Sequence, residues 1–157
     1  MPFTSHDFKQ IVNVGAGVLN PTLPHKISTY TINYNSPLII GRIAQIKNGK
    51  LTNLDATVAP VIAGLILKSV VNPMENGNTF TQTGDAAVYQ VDSLEWGLGT
   101  VDVVGSVTPA KFGKVYAVNA VGGDIGKATT VSTNNVEVKG YFNREIKPGI
   151  WEIFIQL

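Results

Sequence analysis

The chain of 157 residues contains no cysteine and only two histidines, His6 and His25. Disulfide bridges, zinc–thiolate sites and a cysteine nucleophile are therefore excluded, which fits an intracellular or a virion protein. Neither histidine belongs to an H-x-x-x-H pair or has a cluster of further ligand residues nearby in sequence, so no metal site is predicted. A serine triad would need one of them, and no G-x-S-x-G elbow is present.

Charge is also scarce. Charged residues make up 15% of the chain, where about 25% is usual. The 12 basic and 11 acidic residues are scattered and give a net charge of +1, so the basic footprint of a nucleic-acid-binding protein is missing. Either Thr, Asn and Ser cover much of the surface, or other subunits cover it.

Long hydrophobic runs are absent as well. The most apolar stretch, residues 58–71, is interrupted by Pro60 and Lys68 and falls short of the roughly 20 residues that span a bilayer. No membrane contact is predicted. With Gly64 inside it, this stretch is typical of a buried strand with a bend or bulge.

The chain is instead rich in short β-type segments separated by turn residues. Asn48-Gly49 is the strongest hairpin signal. No stretch beyond residues 1–20 has sustained helical periodicity, so the sequence predicts an all-β, single compact antiparallel barrel or sandwich, with a jelly roll among the open topologies. The predicted strands are residues 26–34, 38–47, 50–54, 58–71, 86–91, 100–107, 115–120, 136–142 and 150–157.

We expect one domain from the length, divided into an N-terminal arm, residues 1–20, and a β domain, residues 21–157. Phe3, Phe8 and Ile11 give the arm an apolar character that suggests docking. The arm packs either on its own domain or on a neighbouring subunit. These three residues are candidate contacts to another subunit.

Several motifs fail as reaction centres. Residues 122–130, GGDIGKATT, lack the first glycine of a phosphate loop and carry Ala128 after Lys127, so a tight turn is the better interpretation. Gly15-Ala16-Gly17 is only half of a dinucleotide fingerprint. Four acidic residues lie in separate segments, which favours turn and surface roles over paired catalysis; they are Asp85, Asp92, Glu95 and Asp102. Asp124 lacks the ladder of oxygen ligands that calcium requires and is interpreted as a turn residue. No catalytic residue and no cofactor are predicted.

Two tryptophans remain. Trp151 shares a strand face with Ile153, Ile155 and Leu157, which is a core pattern. Trp96 lies in a glycine-rich segment between two predicted strands. It is interpreted as a core residue or as an interface anchor, in preference to a sugar platform.

From residue 38 onward the order of segments resembles the head-decoration, or structural cement, proteins of tailed bacteriophages. The resemblance covers about three-quarters of the chain. It rests on residues 59–67 (APVIAGLIL), Thr83-Gly84-Asp85 before Ala87-Val88-Tyr89, residues 108–116 (TPAKFGKVY), Gly140-Tyr141-Phe142, Pro148-Gly149 and residues 151–157.

The resemblance implies a non-enzymatic virion protein that binds the outer capsid surface and stabilises the shell. It implies the major capsid protein as partner, a homo-oligomer (a dimer or a trimer), and assembly in the host cytoplasm. The alternative is a carbohydrate-binding β-sandwich module of a phage or bacterial surface, with Trp96 and Tyr89 as a stacking platform. A hydrolase with carboxylates from separate loops is the remote third hypothesis.

Overall fold

A computed structural model describes residues 15–31, 38–68, 79–80 and 90–157 of the protein. Within these ranges every regular element is a β-strand, and no helix there is long and apolar enough to cross a membrane. The strands are β1 (Leu19–Asn20), β2 (Lys26–Thr31), β3 (Leu38–Ile39), β4 (Ile43–Lys47), β5 (Lys50–Asn53), β6 (Val61–Ile66), β7 (Thr79–Phe80), β8 (Gln90–Asp102), β9 (Lys114–Val118), β10 (Ala128–Thr129), β11 (Asn135–Lys147) and β12 (Ile150–Gln156).

Ten of these strands form one sheet in the order β10-β9-β11-β12-β8-β6-β4-β5, with β1 and β2 also paired to β8. Every pair among these ten strands is antiparallel, and within the described ranges one isolated bridge, Val103 with Ala128, is parallel. The sheet is open, with β10 and β5 at its ends among the described strands, and β3 pairs with β7 separately. The all-β antiparallel prediction is confirmed, in its sandwich-like form.

The strand β8 is the centre of the sheet. It pairs with β12 from Trp96 to Asp102 and with β2 from Gln90 to Trp96, and it also contacts β1 and β6. The sequence predicted two separate strands, residues 86–91 and 100–107, with a break between them. That prediction is wrong, because β8 runs without interruption from Gln90 to Asp102. Glycines 97 and 99 lower the local strand propensity, but pairing with four neighbouring strands overrides it.

Two groups of buried apolar residues form the hydrophobic core of the sheet. The main core collects the inward faces of β8, β9, β11 and β12, and the smaller core lies against β4, β5 and β6. The main core comprises Ile43, Leu54, Leu65, Leu67, Leu94, Val101, Val103, Val115, Ala117, Ala128, Val138, Phe142, Trp151, Ile153 and Ile155, and the smaller core comprises Leu38, Ile40, Ala44, Leu51, Ala63, Ile66 and Val91. Trp151 is thus a core residue, as predicted, whereas Leu157 is exposed.

Two tight hairpins are confirmed. Lys47 and Lys50 face each other across the first, and Asn48 and Gly49 between them both have positive φ, 53° and 74°. That is the geometry for which an Asn-Gly pair is selected. Residues 148 and 149 likewise close the hairpin between β11 and β12.

The apolar stretch 58–71 is only partly a buried strand. The strand β6 covers residues 61–66, and Ala63 is an extra residue opposite β4, since Ala44 pairs with Gly64 and Gln45 with Ile62. The predicted bulge is therefore confirmed. Burial of the whole stretch is wrong at its start, because Val58 lies in a loop and is 92% exposed.

Residues 15–20 run beside β8. The Gly17 nitrogen donates to the Thr100 carbonyl at 2.6 Å, and the Thr100 nitrogen donates to the Val18 carbonyl at 2.9 Å. The Thr100 hydroxyl also donates to the Gly15 carbonyl at 3.0 Å. Residues 1–14 lie outside the described part of the chain, so the division into an arm and a β domain at residue 20 stays a prediction.

Candidate functional site

Four aromatic side chains form a continuous row across one face of the sheet. They come from three neighbouring strands and one loop, and we call them the aromatic row: Trp96 of β8, Phe154 of β12, Tyr141 of β11 and Phe112 of the loop before β9. The first three are half-buried and Phe112 is exposed.

The alternation of side chains along the strands explains this placement. On β12, Trp151, Ile153 and Ile155 enter the main core, so Phe154 must lie on the opposite face. The same rule separates Phe142, which is buried in the core, from Tyr141. Since Phe154 is opposite Tyr141 in the register of β11 and β12, their rings meet.

Each ring of the aromatic row touches the next. The Trp96 and Phe154 ring centroids are 5.5 Å apart at an interplanar angle of 79°, and those of Phe154 and Tyr141 are stacked 5.2 Å apart at 23°. Tyr141 and Phe112 follow at 5.4 Å and 60°. Offset and edge-to-face pairs at such distances are favourable beyond the area they bury, which gives the row a defined shape.

Phe112 is presented to solvent by a constrained loop. Its side chain is 67% exposed and its φ is 64°, a region that non-glycine residues rarely adopt. The backbone is fixed there because the Phe112 nitrogen donates to the Phe142 carbonyl at 2.7 Å and the Phe142 nitrogen donates to the Gly113 carbonyl at 3.0 Å. An exposed aromatic ring on a strained backbone is a candidate contact residue.

The border of the aromatic row carries an excess of positive charge. The Lys111 ammonium lies 5.1 Å from the centre of the Phe112 ring, and Lys114, opposite Tyr141 in register, pairs with Glu137 at 3.1 Å. Lys139, two residues before Tyr141 on β11, is exposed, and no carboxylate within ion-pair distance of Lys111 or Lys139 occurs in the described part of the chain.

At the Trp96 end, the aromatic row is bordered by an ion pair that a further hydrogen bond supports. The Lys26 ammonium lies 2.5 Å from the Glu95 carboxylate, and the Tyr30 hydroxyl donates to the same carboxylate at 2.8 Å. The hydrogen bond from Lys26 is the largest of the causes that lower the pKa of Glu95 from 4.5 to about 2. The pKa of Lys26 is raised in turn by Glu95.

This ion pair predicts a pH dependence of stability. A carboxyl whose pKa is depressed on folding stabilises the native state above its unfolded pKa, and this contribution is lost as the pH falls toward the folded pKa. We expect Glu95→Gln to have a lower unfolding free energy than the wild type at pH 7. The difference should shrink as the pH falls below about 4.5 and be mostly lost near pH 2, where the folded-state carboxyl is half protonated. Urea unfolding at both pH values measures the difference in unfolding free energy between the variant and the wild type. A difference that stays constant with pH would show that the ionised Glu95 carboxylate does not stabilise the fold.

On the same face of the sheet, next to Phe154, a buried carboxylate accepts several hydrogen bonds. The Glu152 side chain is only 3% exposed and accepts hydrogen bonds from Asn20 at 2.7 Å, Asn143 at 2.7 Å and Arg144 at 3.1 Å. Because a buried carboxylate is costly unless it is paired and hydrogen-bonded, this set of donors has a structural role. It ties β1 and β11 to β12 beside the aromatic row.

The glycine-rich segment around Lys127 is a turn between β9 and β10, as predicted. An Arg42 guanidinium nitrogen, Nη1, donates to the carbonyls of Gly123 at 2.7 Å and Ile125 at 3.0 Å. Lys127 pairs with Asp124 at 2.7 Å. The lysine and the backbone of this segment are thus engaged with the protein itself.

The other acidic residues named from the sequence also take structural roles where the structure describes them. Asp92 accepts a hydrogen bond from Thr29 at 2.7 Å, and Asp102 lies 3.8 Å from Arg42. Burial raises the pKa of Asp102, and Arg42 opposes that shift. Asp85 lies outside the described residues. No group of three or more potential metal ligands occurs in the described ranges.

Of the predicted contact residues, Trp96 lies in the aromatic row, and its role in contact stays a prediction. Phe3, Phe8 and Ile11 lie outside the described residues, so they also remain predictions. The sequence analysis missed Phe154 and Tyr141 as surface aromatics. The alternation that places Trp151 in the core was a sufficient signal for Phe154, but nothing in the sequence indicates the exposure of Phe112.

The chain therefore belongs to the class of all-β proteins built on one large antiparallel sheet. Its fold is similar to that of a chain in the solved structure of the capsid of Myoviridae phage XM1, with a TM-score of 0.82 and 26% sequence identity. The alignment covers 99% of this chain and 98% of that chain. No protein-family model matches the sequence, and no curated protein matches it. The likeness to a capsid protein supports a structural, virion-located role.

Proposed function

We propose that this chain is a non-enzymatic decoration, or cement, protein that binds the outer capsid surface and stabilises the shell. The observation that carries the proposal is the similarity over nearly the full length of both chains to a chain of a phage capsid. The partner is the major capsid protein, and assembly takes place in the host cytoplasm. The arm at residues 1–20 contributes Phe3, Phe8 and Ile11 to the contact.

The aromatic row is our candidate for the part of the β domain that meets the shell. Aromatic side chains dominate binding energy at protein interfaces, and the row offers four in contact, one of them largely exposed. Lys111 and Lys139 at its border have no carboxylate partner among the described residues. They fit an acidic patch on the shell, since complementary charges guide orientation and speed association. Many weak contacts of this kind suffice, because many copies engage one shell.

Cosedimentation tests this proposal. Capsids assembled without this chain are mixed with increasing amounts of the purified protein and pelleted. We expect saturable binding at a fixed number of copies per capsid, weakened by salt because charged side chains border the contact. Absence of the chain from the pellet at any concentration would refute the proposal. The carbohydrate-binding alternative predicts that result together with binding to a glycan array that Trp96→Ala abolishes.

A further inference from the structure

A polar pocket lies beside the hairpin that joins β4 and β5, and we call it the hairpin pocket. Its volume is about 390 Å³, and the residues that line it include Lys47, Lys50, Thr52 and Asp55. A volume in this range suits a small molecule. The pocket is separate from the aromatic row, because β5 is at one end of the described sheet order and the strands of the row are β8, β11 and β12.

The register of the hairpin brings the polar side chains of the pocket together. Lys47 is opposite Lys50, and Gln45 is opposite Thr52. Residues that are opposite each other in an antiparallel pair lie on the same face, and so do alternate residues along one strand. Since Leu51 enters the smaller core, Lys50 and Thr52 lie on the other face of β5.

Positive charge is in excess in the hairpin pocket, since two lysines and one aspartate line it. Lys47 pairs with Asp55, whose carboxylate also accepts hydrogen bonds from Gln45 at 2.8 Å and from the Thr57 nitrogen at 3.2 Å. Lys50 is exposed and has no carboxylate within ion-pair distance among the described residues. Like charges opposite each other in a hairpin are unfavourable, so an anion here would offset the second charge.

Thr52 gives an independent indication of a ligand. The residue is only 8% exposed, and its buried hydroxyl oxygen has no hydrogen-bond partner in the part of the chain that the structure describes. Buried hydroxyl groups are normally paired, because an unpaired one has lost its hydrogen bonds to water without replacement. Since Thr52 lines the pocket, a ligand bound there can supply the missing partner.

The Lys47 side chain is placed to cover and uncover this hydroxyl. Lys47 is diagonally opposite Thr52 in the hairpin, within reach of a long side chain, and it extends to Asp55 and to the Thr57 hydroxyl at 3.4 Å. Because its side chain is 46% exposed, it can change rotamer rapidly. Asp55 would keep its hydrogen bonds from Gln45 and Thr57 while the Lys47 ammonium turns toward a ligand.

We propose that the hairpin pocket binds a small oxyanion, that is, a carboxylate or phosphate group. Lys50 attracts the anion, the Thr52 hydroxyl donates a hydrogen bond to one of its oxygens, and Lys47 completes the site. A stacked sugar is less suited, because none of the described residues that line the pocket is aromatic. The inference does not rest on capsid binding.

NMR titration of the ¹⁵N-labelled chain tests the proposal, with inorganic phosphate and acetate as probes and sodium chloride to hold the ionic strength constant. We expect saturable shifts of the backbone amides of residues 47–55 with at least one probe. Thr52→Val keeps the branched shape and removes the hydroxyl, and Lys50→Gln removes the charge. Each should raise the dissociation constant about 10-fold, as expected for a lost hydrogen bond or ion pair to a charged group.

The matched control is Lys68→Gln, at an exposed lysine outside the pocket, which should bind the probe like the wild type. Urea unfolding without the probe separates a binding role of Thr52 from a structural one. Thr52→Val should unfold at the same urea concentration as the wild type or at a higher one, since it removes an unpaired buried hydroxyl.

The proposal would be overturned if neither probe gave saturable shifts, or if Thr52→Val and Lys50→Gln bound as tightly as the wild type. An equal loss of affinity in Lys68→Gln would also overturn it, because binding would then follow surface charge in general. Lys50 is exposed, so Lys50→Gln keeps the test valid even if Thr52→Val does not fold.

An acidic side chain of a protein partner has the same chemistry as a free carboxylate, and cosedimentation of Lys50→Gln with capsids distinguishes the two sources. Unchanged capsid binding would assign the pocket to a free anion, and weakened binding to a carboxylate of the shell. Only this comparison rests on the proposed function. The NMR titration is carried out without capsids, so its failure and the failure of capsid binding are distinguishable.

Discussion

Gly64→Ala should lower the unfolding free energy by about 3 kcal/mol or more, at the upper end of single substitutions. A Cβ at this position would lie 2.2 Å from the Leu94 carbonyl oxygen and 2.6 Å from the Ser93 hydroxyl, and φ is 129°. Since β6 and β8 contribute to both cores, pushing them apart would loosen packing on both sides.

Gly49→Ala is the matched control for this substitution. Gly49 also has a positive φ, 74°, but a Cβ there would meet nothing within 4 Å. We expect a loss of only about 1–2 kcal/mol, which is the conformational cost alone. Urea unfolding of both variants gives the comparison, and equal losses would show that the close approach of β6 to β8 does not matter for stability.

Phe112→Asn should weaken binding to the capsid about 100-fold, or roughly 3 kcal/mol, which is typical of an aromatic hot spot. This expectation rests on the proposed function. Asparagine tolerates positive φ better than other non-glycine residues, so the substitution removes the ring and leaves the loop conformation. Cosedimentation at several protein concentrations measures the change in affinity.

The control for Phe112→Asn is Val131→Asn, which changes another exposed apolar residue to the same side chain. It should bind capsids like the wild type, and both variants should keep their unfolding free energy within about 1 kcal/mol. If the two variants bind equally well, the aromatic row does not contact the shell at Phe112, and the contact must be assigned to another surface.

Local rules of β-structure were sufficient to predict much of the fold from the sequence. The Asn48-Gly49 turn follows from the positive φ that both positions require, and the burial of Trp151 follows from the alternation along β12. The order of strands was not predictable, because it depends on pairing between distant segments: β8 alone connects residues from β1, β2, β6 and β12.

The exposed surfaces were less predictable for the same reason. Val58 belongs to an apolar stretch and was expected to be buried. Its exposure depends on Asn119, 62 residues away from the Thr57 carbonyl that it binds, and on the positive φ of Ala59. Trp96 was identified from its glycine-rich surroundings, but its ring contacts with Phe154 required the register between β8 and β12.

The role of this chain as a capsid-stabilising protein is tested most directly by the thermal disruption of capsids. Capsids assembled without the chain are heated alone and after saturation with the wild-type protein, and release of their contents is followed with a nucleic-acid dye. We expect the bound protein to raise the disruption temperature, and Phe112→Asn at the same concentration to raise it less. An unchanged disruption temperature in capsids that carry the wild-type protein at full occupancy would contradict the stabilising role.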